Sequence, residues 1–156
     1  MSNLTALRQH EIDIPDDDKY ISAATFDQVT AETLPPGRRH VEAALNYLSN
    51  MEDNWDGEGA IAPTEKAIEA GRAFNNHYML DRKYPDKVSP DGDGAVLFIW
   101  NAPDGRLTLT IEASLIHISF AHPDGRVELP ESVPYDLTAI PKEILHYLPK
   151  VPRPNV

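Results

Sequence analysis

Apolar positions along this chain change their period partway. Val41, Ala44, Leu45, Leu48 and Met51 recur at the spacing of one buried helical stripe, while Arg38, Arg39, Glu42 and Asn46 fall largely outside it. A helix is therefore predicted after Pro35-Pro36-Gly37, ending at Ser49-Asn50. Ala67, Ile68, Gly71, Phe74 and Tyr78 make a second stripe. Thr64 is placed to cap that helix, with Pro63 just outside it and Glu65 at the positive end of its dipole. Two helices joined by roughly a dozen residues pack antiparallel as a hairpin. Lys83-Tyr84-Pro85 and Ser89-Pro90 mark a break.

From Ala95 the period becomes two. Ala95–Asn101 is a nearly continuous apolar run, as in a strand covered on both faces. Leu107, Leu109 and Ile111 alternate with Thr108, Thr110 and Glu112, the pattern of a half-buried strand. Ile116, Ile118 and Phe120 alternate in the same way with Leu115, His117 and Ser119. Pro103-Asp104-Gly105 and Pro123-Asp124-Gly125 supply hairpin turns, with Arg126–Leu129 as a short last strand. Asp136–Leu148 reads as a shorter helix carrying Leu137, Ile140, Ile144 and Leu148 on one side. Pro141 belongs in its first turn, which starts the helix proper near Ala139. The expectation is an α+β domain over residues 35–148: a helical hairpin, a three- to four-stranded antiparallel meander and a C-terminal helix. No internal repeat is expected beyond the two Pro-Asp-Gly turns.

Composition changes this picture at the two ends. In residues 1–34 acids outnumber bases seven to two and large apolar side chains are sparse, so a partly disordered acidic arm is expected. Ile12, Ile14, Tyr20, Ile21 and Phe26 suffice for one docked strand or turn within it. Residues 149–156 read as a tail. The opening residues lack the basic start and apolar centre of a signal peptide, and no apolar run is long enough to span a membrane. With no cysteine there is neither a disulfide framework nor thiolate chemistry. A cytoplasmic protein is expected.

The net charge of −11 disfavours direct binding to nucleic acid, whose phosphates call for clustered Lys and Arg. It suits the reverse arrangement, an acidic surface on a basic partner protein, with Asp16, Asp17 and Asp18 as candidate contacts.

Candidate chemistry is thin. Counting Gly57 as the sixth position of a calcium loop places Glu52, Asn54 and Asp56 as ligands, but Pro63 then stands where a bidentate Glu is needed. The same count from Gly94 ends on Trp100. Neither loop is expected to hold a metal. The six histidines show no zinc spacing. His117, with Ser119 and Glu112 nearby, is the one histidine whose neighbours suggest a site, though no nucleophile-elbow pattern supports it. Glycine-rich phosphate loops are absent, and no cofactor is expected. If helices cover one face of the meander, the other displays Thr108, Thr110, Glu112 and His117. The first strand then adds either Val96, Phe98 and Trp100 or Leu97 and Ile99 to an apolar stripe with a polar rim, the alternative being that the C-terminal helix or the N-terminal arm covers it.

The loop Asn54-Trp55-Asp56-Gly57-Glu58-Gly59-Ala60, the Pro63-Thr64-Glu65 helix start, and the run from Ser89-Pro90-Asp91-Gly92-Asp93-Gly94 to Trp100 together resemble a family of small uncharacterised bacterial proteins. The likeness covers roughly Val41 to Phe120, and its core is the N-W-D-G-x-G-A loop. Members occur largely in variable or mobile genome regions. That setting implies a binding role like that of antitoxins and immunity proteins, and it supplies no catalytic residues. Asn54, Trp55, Asp56, Gly57 and Gly59 are accordingly expected to be structural. The leading expectation is a non-enzymatic inhibitor of a basic protein partner. The rivals are a metal-dependent hydrolase or nuclease-like enzyme using Asp53, Asp56, Glu58 or His117, and a structural subunit or homodimer of a larger assembly.

Overall fold

Thr64 caps the second helix as its position predicts, its hydroxyl accepting from the Ala67 amide at 3.0 Å. In the computed structural model, which describes residues 12–13, 36–79 and 81–149, α1 spans Pro36–Ser49 and α2 spans Glu65–His77. Val41, Ala44, Leu45 and Leu48 of α1 face Ala67, Ile68, Gly71 and Phe74 of α2 in the core. Gly71 permits the close crossing: a Cβ there would stand 3.1 Å from Leu45 Cδ2. Each helix also ties the far end of the other. Arg38 Nη2 donates to the carbonyls of Asn76 and Tyr78, where α2 ends, and Asn75 Nδ2 returns a bond to the Arg38 carbonyl at 3.0 Å. Arg72 Nε pairs with Glu42 at 3.0 Å midway along the hairpin.

The strands form one antiparallel sheet in the order β1-β2-β3-β4-β5-β6, with β7 also on β5. Their ranges are β1 Ile12–Asp13, β2 Lys87–Pro90, β3 Val96–Ala102, β4 Gly105–Ile111, β5 Leu115–Ala121, β6 Val127–Glu128 and β7 Val133–Pro134. The expected helical hairpin, meander and C-terminal helix are all present, and the sheet is wider than expected. Ser89-Pro90, read as a break, lies inside β2. Pro90 is tolerated because β1 pairs only with Lys87 and Val88, so the missing amide breaks no bond on that side.

Register separates the two faces of the sheet. Val96 opposes Ile111, Phe98 opposes Leu109 and Trp100 opposes Leu107, while Leu109 and Ile111 in turn oppose Ile118 and Ile116. All of these are buried in the cluster that takes in the stripes of both helices. Trp100 is fully enclosed, and its Nε1 donates to the Lys83 carbonyl at 2.7 Å. The Tyr78 hydroxyl donates to the same carbonyl, and Phe74 meets Phe98 edge-on at 5.4 Å.

The C-terminal helix is shorter than its apolar spacing suggests. Only Lys142–Leu145, here α3, is helical. Leu137 takes a positive φ of 71°, and Asp136 Oδ1 accepts from both the amide and the hydroxyl of Thr138, which closes a turn in place of a helical one. Ile144 and Leu148 still reach the core. Arg82 Nη1 donates to the carbonyls of Leu145 and Leu148 and ties the short helix to the connection between α2 and β2. Of the expected N-terminal arm, only the backbone of β1 lies among the described residues; Asp16, Asp17 and Asp18 lie outside them.

Candidate functional site

The loop between α1 and α2 is built around side chains that bond backbone. Asp56 Oδ1 accepts from the amides of Glu58 at 2.8 Å and Ala60 at 3.1 Å. Asn54 Oδ1 accepts from Gly59 at 2.7 Å, and Asn54 itself has a φ of 64°, which asparagine tolerates better than most residues. Asp53 Oδ1 accepts from Ala62 at 3.0 Å. Trp55 is buried, its Nε1 donating to the Ile61 carbonyl at 3.3 Å. Asn54, Trp55, Asp56, Gly57 and Gly59 each have a place in shaping this loop.

The same construction recurs before β3. Asp91 Oδ1 accepts from Asp93 at 2.7 Å and Ala95 at 2.9 Å, the same offsets of two and four residues. Gly57 and Gly59 have φ of 78° and 91°, and Gly92 and Gly94 have 87° and 100°. Asp56–Ala60 and Asp91–Ala95 are thus two copies of Asp-Gly-x-Gly-Ala, a repeat beyond the Pro-Asp-Gly turns that the sequence reading did not expect. The copies also lock together. The Ile61 amide donates to the Gly92 carbonyl at 2.8 Å, and the Thr64 amide donates to the Gly94 carbonyl at 2.9 Å. Among the described residues no group of three or more His, Asp or Glu side chains is arranged to hold a metal ion.

The face of the sheet opposite the helices carries the other candidates. Thr108 lies between Ile99 and Ser119, and Thr110 lies between Leu97 and His117. Phe98 and Trp100 are corrected here: both point into the core, so β3 contributes Leu97 and Ile99 to this face instead. Toward the β6 edge, Val127 pairs with Ala121 and is 55% exposed, and Leu129, two residues on, is 73% exposed.

His117 Nε2 lies 3.2 Å from Glu112 Oε2, and His117 Nδ1 is bonded to the Ser132 hydroxyl. Sequence reasoning placed Glu112 correctly and took Ser119 as the hydroxyl partner. Ser132 was missed because β7, a strand of two residues ending in proline, leaves no alternation to read. Glu112 and His117 keep 49% and 41% of their side-chain surface in solvent, so water screens their attraction. An imidazole between a carboxylate and a hydroxyl can pass a proton, but this array lies on an open surface.

A third feature is an open cleft of about 430 Å³ at the C-terminal end of α1, with Tyr47, Met51, Glu52, Asp53 and Trp55 in its lining. Among the described residues no helix is long and apolar enough to cross a membrane. No family model, no curated protein and no solved structure matches the chain.

Proposed function

We propose that this protein is a non-enzymatic, cytoplasmic binding module that docks another protein on the face of its sheet opposite the helical hairpin and inhibits it. The observation that carries this reading is the register of β3, β4 and β5. It sends half-buried Leu97, Thr108, Thr110, His117 and Ser119, with Ile99 buried among them, to the face opposite the helical stripes, and exposed Val127 and Leu129 extend that face to its edge. Apolar groups among hydroxyls, with a polar rim, are the composition of a docking surface. The charge of −11 supports a basic partner, as in antitoxin or immunity pairs, with the charge raising the association rate. The resemblance of the Asn54–Ala60 loop to proteins of mobile genome regions supports the same class.

The test is a photo-crosslinking amino acid at Thr110, compared with one at Ala43, which is exposed on α1. A single basic protein is expected to be captured from the source cell through Thr110 and not through Ala43. Its association should slow as salt rises past about 0.15 M, where screening sets in within about 8 Å. Equal labelling from both positions would overturn the reading.

The hydrolase alternative has one observation in its favour, the Glu112–His117–Ser132 array. It predicts ester turnover that Ser132→Ala abolishes. The metal-dependent form is less favoured, because Asp53 and Asp56 already use a carboxylate oxygen on backbone amides.

A further inference from the structure

We infer that the cleft at the end of α1 is a receptor for an arginine side chain of a basic protein segment. This site is on a different part of the molecule from the docking face proposed above, and it stands or falls independently of it.

Three properties of the cleft converge on a guanidinium. The first is an aromatic surface: Tyr47, half exposed, lines the opening together with partly buried Met51 and the rim of Trp55. A cation over a tyrosine face is attracted by the ring's quadrupole, and the flat guanidinium stacks there while its methylenes cover apolar surface. The second is charge: Glu52 and Asp53, both exposed, line the cleft. Across residues 50–69 six acids face one base, Lys66. Asp53 spends Oδ1 on the Ala62 amide, which leaves its second oxygen, beside the Glu52 carboxylate, to accept from a ligand. The third is the helix itself. α1 runs fourteen residues and has no basic side chain in its last turn, so although the carbonyls of Asn46, Tyr47 and Leu48 are bonded by Ser49, Asn50 and Met51, the negative end of its dipole meets no positive charge of its own helix.

Arginine is chosen over lysine because the cleft combines a ring to stack on with carboxylates to fork between. An ammonium uses only the charge. The loop bonds of Asn54 and Asp56 hold the far wall in place, so the site exists before its ligand arrives.

The experiment uses the full chain labelled with nitrogen-15 and a short neutral-backbone peptide carrying two arginines. Parallel titrations use the lysine and citrulline versions. Trp55 and Trp100 give two indole N–H signals, one at the cleft and one enclosed in the core, so the second is an internal control. The arginine peptide should shift the Trp55 indole and the amides of Tyr47–Asn54 saturably, more tightly than the lysine peptide, with Trp100 unmoved. Tyr47→Ala and Glu52→Gln should each weaken binding severalfold while leaving the Trp100 signal in place. Equal shifts from citrulline, shifts spread evenly over remote acids such as Asp104 and Asp124, or unchanged affinity in both variants would overturn the inference. None of these outcomes bears on crosslinking through Thr110.

Discussion

The Ile61 amide reaches the Gly92 carbonyl at 2.8 Å, and this bond joins two loops of the same design that lie on either side of α2. Each loop is held by one aspartate oxygen that takes two amides, Asp56 in one and Asp91 in the other. The start of α2 and the entry to β3 are therefore fixed to each other through backbone, with carboxylates holding both pieces in shape.

Removing either carboxylate should loosen both loops. Asp56→Ala and Asp91→Ala are each expected to cost about 1–3 kcal/mol, since a charged acceptor of two amides is lost. Asn at either position keeps an acceptor oxygen and should cost less. Urea unfolding of the singles and the double measures their coupling, which should be non-zero because the loops share bonds. Additive effects would show that the loops act separately.

Gly94 and Gly57 offer a controlled comparison. Both have positive φ, so alanine at either is strained by about 1–2 kcal/mol. A Cβ at Gly94 would also meet Thr64 Cγ2 at 3.3 Å, whereas one at Gly57 meets nothing within 4 Å. Gly94→Ala should be the more destabilising in thermal melts and should disturb the Thr64 cap. Equal melting temperatures would count against the tight seat of the second loop.

Trp55 is 7% exposed. Trp55→Ala is expected to lower stability by about 3–5 kcal/mol, as for large aromatic residues cut back in an interior. Any loss of binding should then follow loss of fold. A variant that melts like the wild type but no longer binds would make the loop a contact surface.

Alkaline pH should unfold the protein through buried phenols. Burial, aided by the Asp136 charge, pushes Tyr135 up to about 12. Burial raises Tyr78 further, against the opposing effects of its Trp100 contact and Arg82. A phenol that ionises near 10 in the unfolded chain and higher in the folded one leaves stability intact below about pH 10. That stability is lost as pH climbs from there through about 12. Tyr135 has no hydrogen-bond partner for its hydroxyl, so Tyr135→Phe should be close to neutral at pH 7 and should flatten the alkaline loss. Urea midpoints at about pH 8 and about pH 11 compare the two chains, and an unchanged slope would remove Tyr135 as a cause.

The parts of this fold that were legible in the sequence are those where a repeated period outlasts local noise. Thr64 and its stripe gave α2, and Leu107, Leu109 and Ile111 gave the inward side of β4. Pro103-Asp104 gave the hairpin that pairs Ala102 with Gly105. β6 was placed by the Pro123-Asp124-Gly125 turn before it, and Ile12 of β1 by its place in an expected docked strand or turn, whereas β7, two residues long, is too short to alternate and exists because β5 offers it a partner. The stripe of Leu137, Ile140, Ile144 and Leu148 misled because spacing does not register a local bond such as that of Asp136 to Thr138. Which side of β3 faced inward was undecidable, as both sides are apolar. The second Asp-Gly-x-Gly-Ala copy was in plain view, yet each copy reads alone as an ordinary turn. Their union and the Ser132–His117 contact join residues far apart in sequence, which no local pattern encodes.

Because strand alternation sends every helix-facing residue to one side, the two sides of this sheet are separable under mutation. Leu107, Leu109, Ile116 and Ile118 carry the structure, while Thr108, Thr110, His117 and Ser119 lie outside that cluster, His117 alone among them reaching Glu112 and Ser132 at the surface. A library randomised at the second set should consist mostly of folded proteins with altered surfaces, and one randomised at the first should mostly collapse. If both libraries collapse alike, the sides are not separable. If they diverge, the chain is a scaffold whose recognition can drift rapidly against a changing target while its architecture stays fixed.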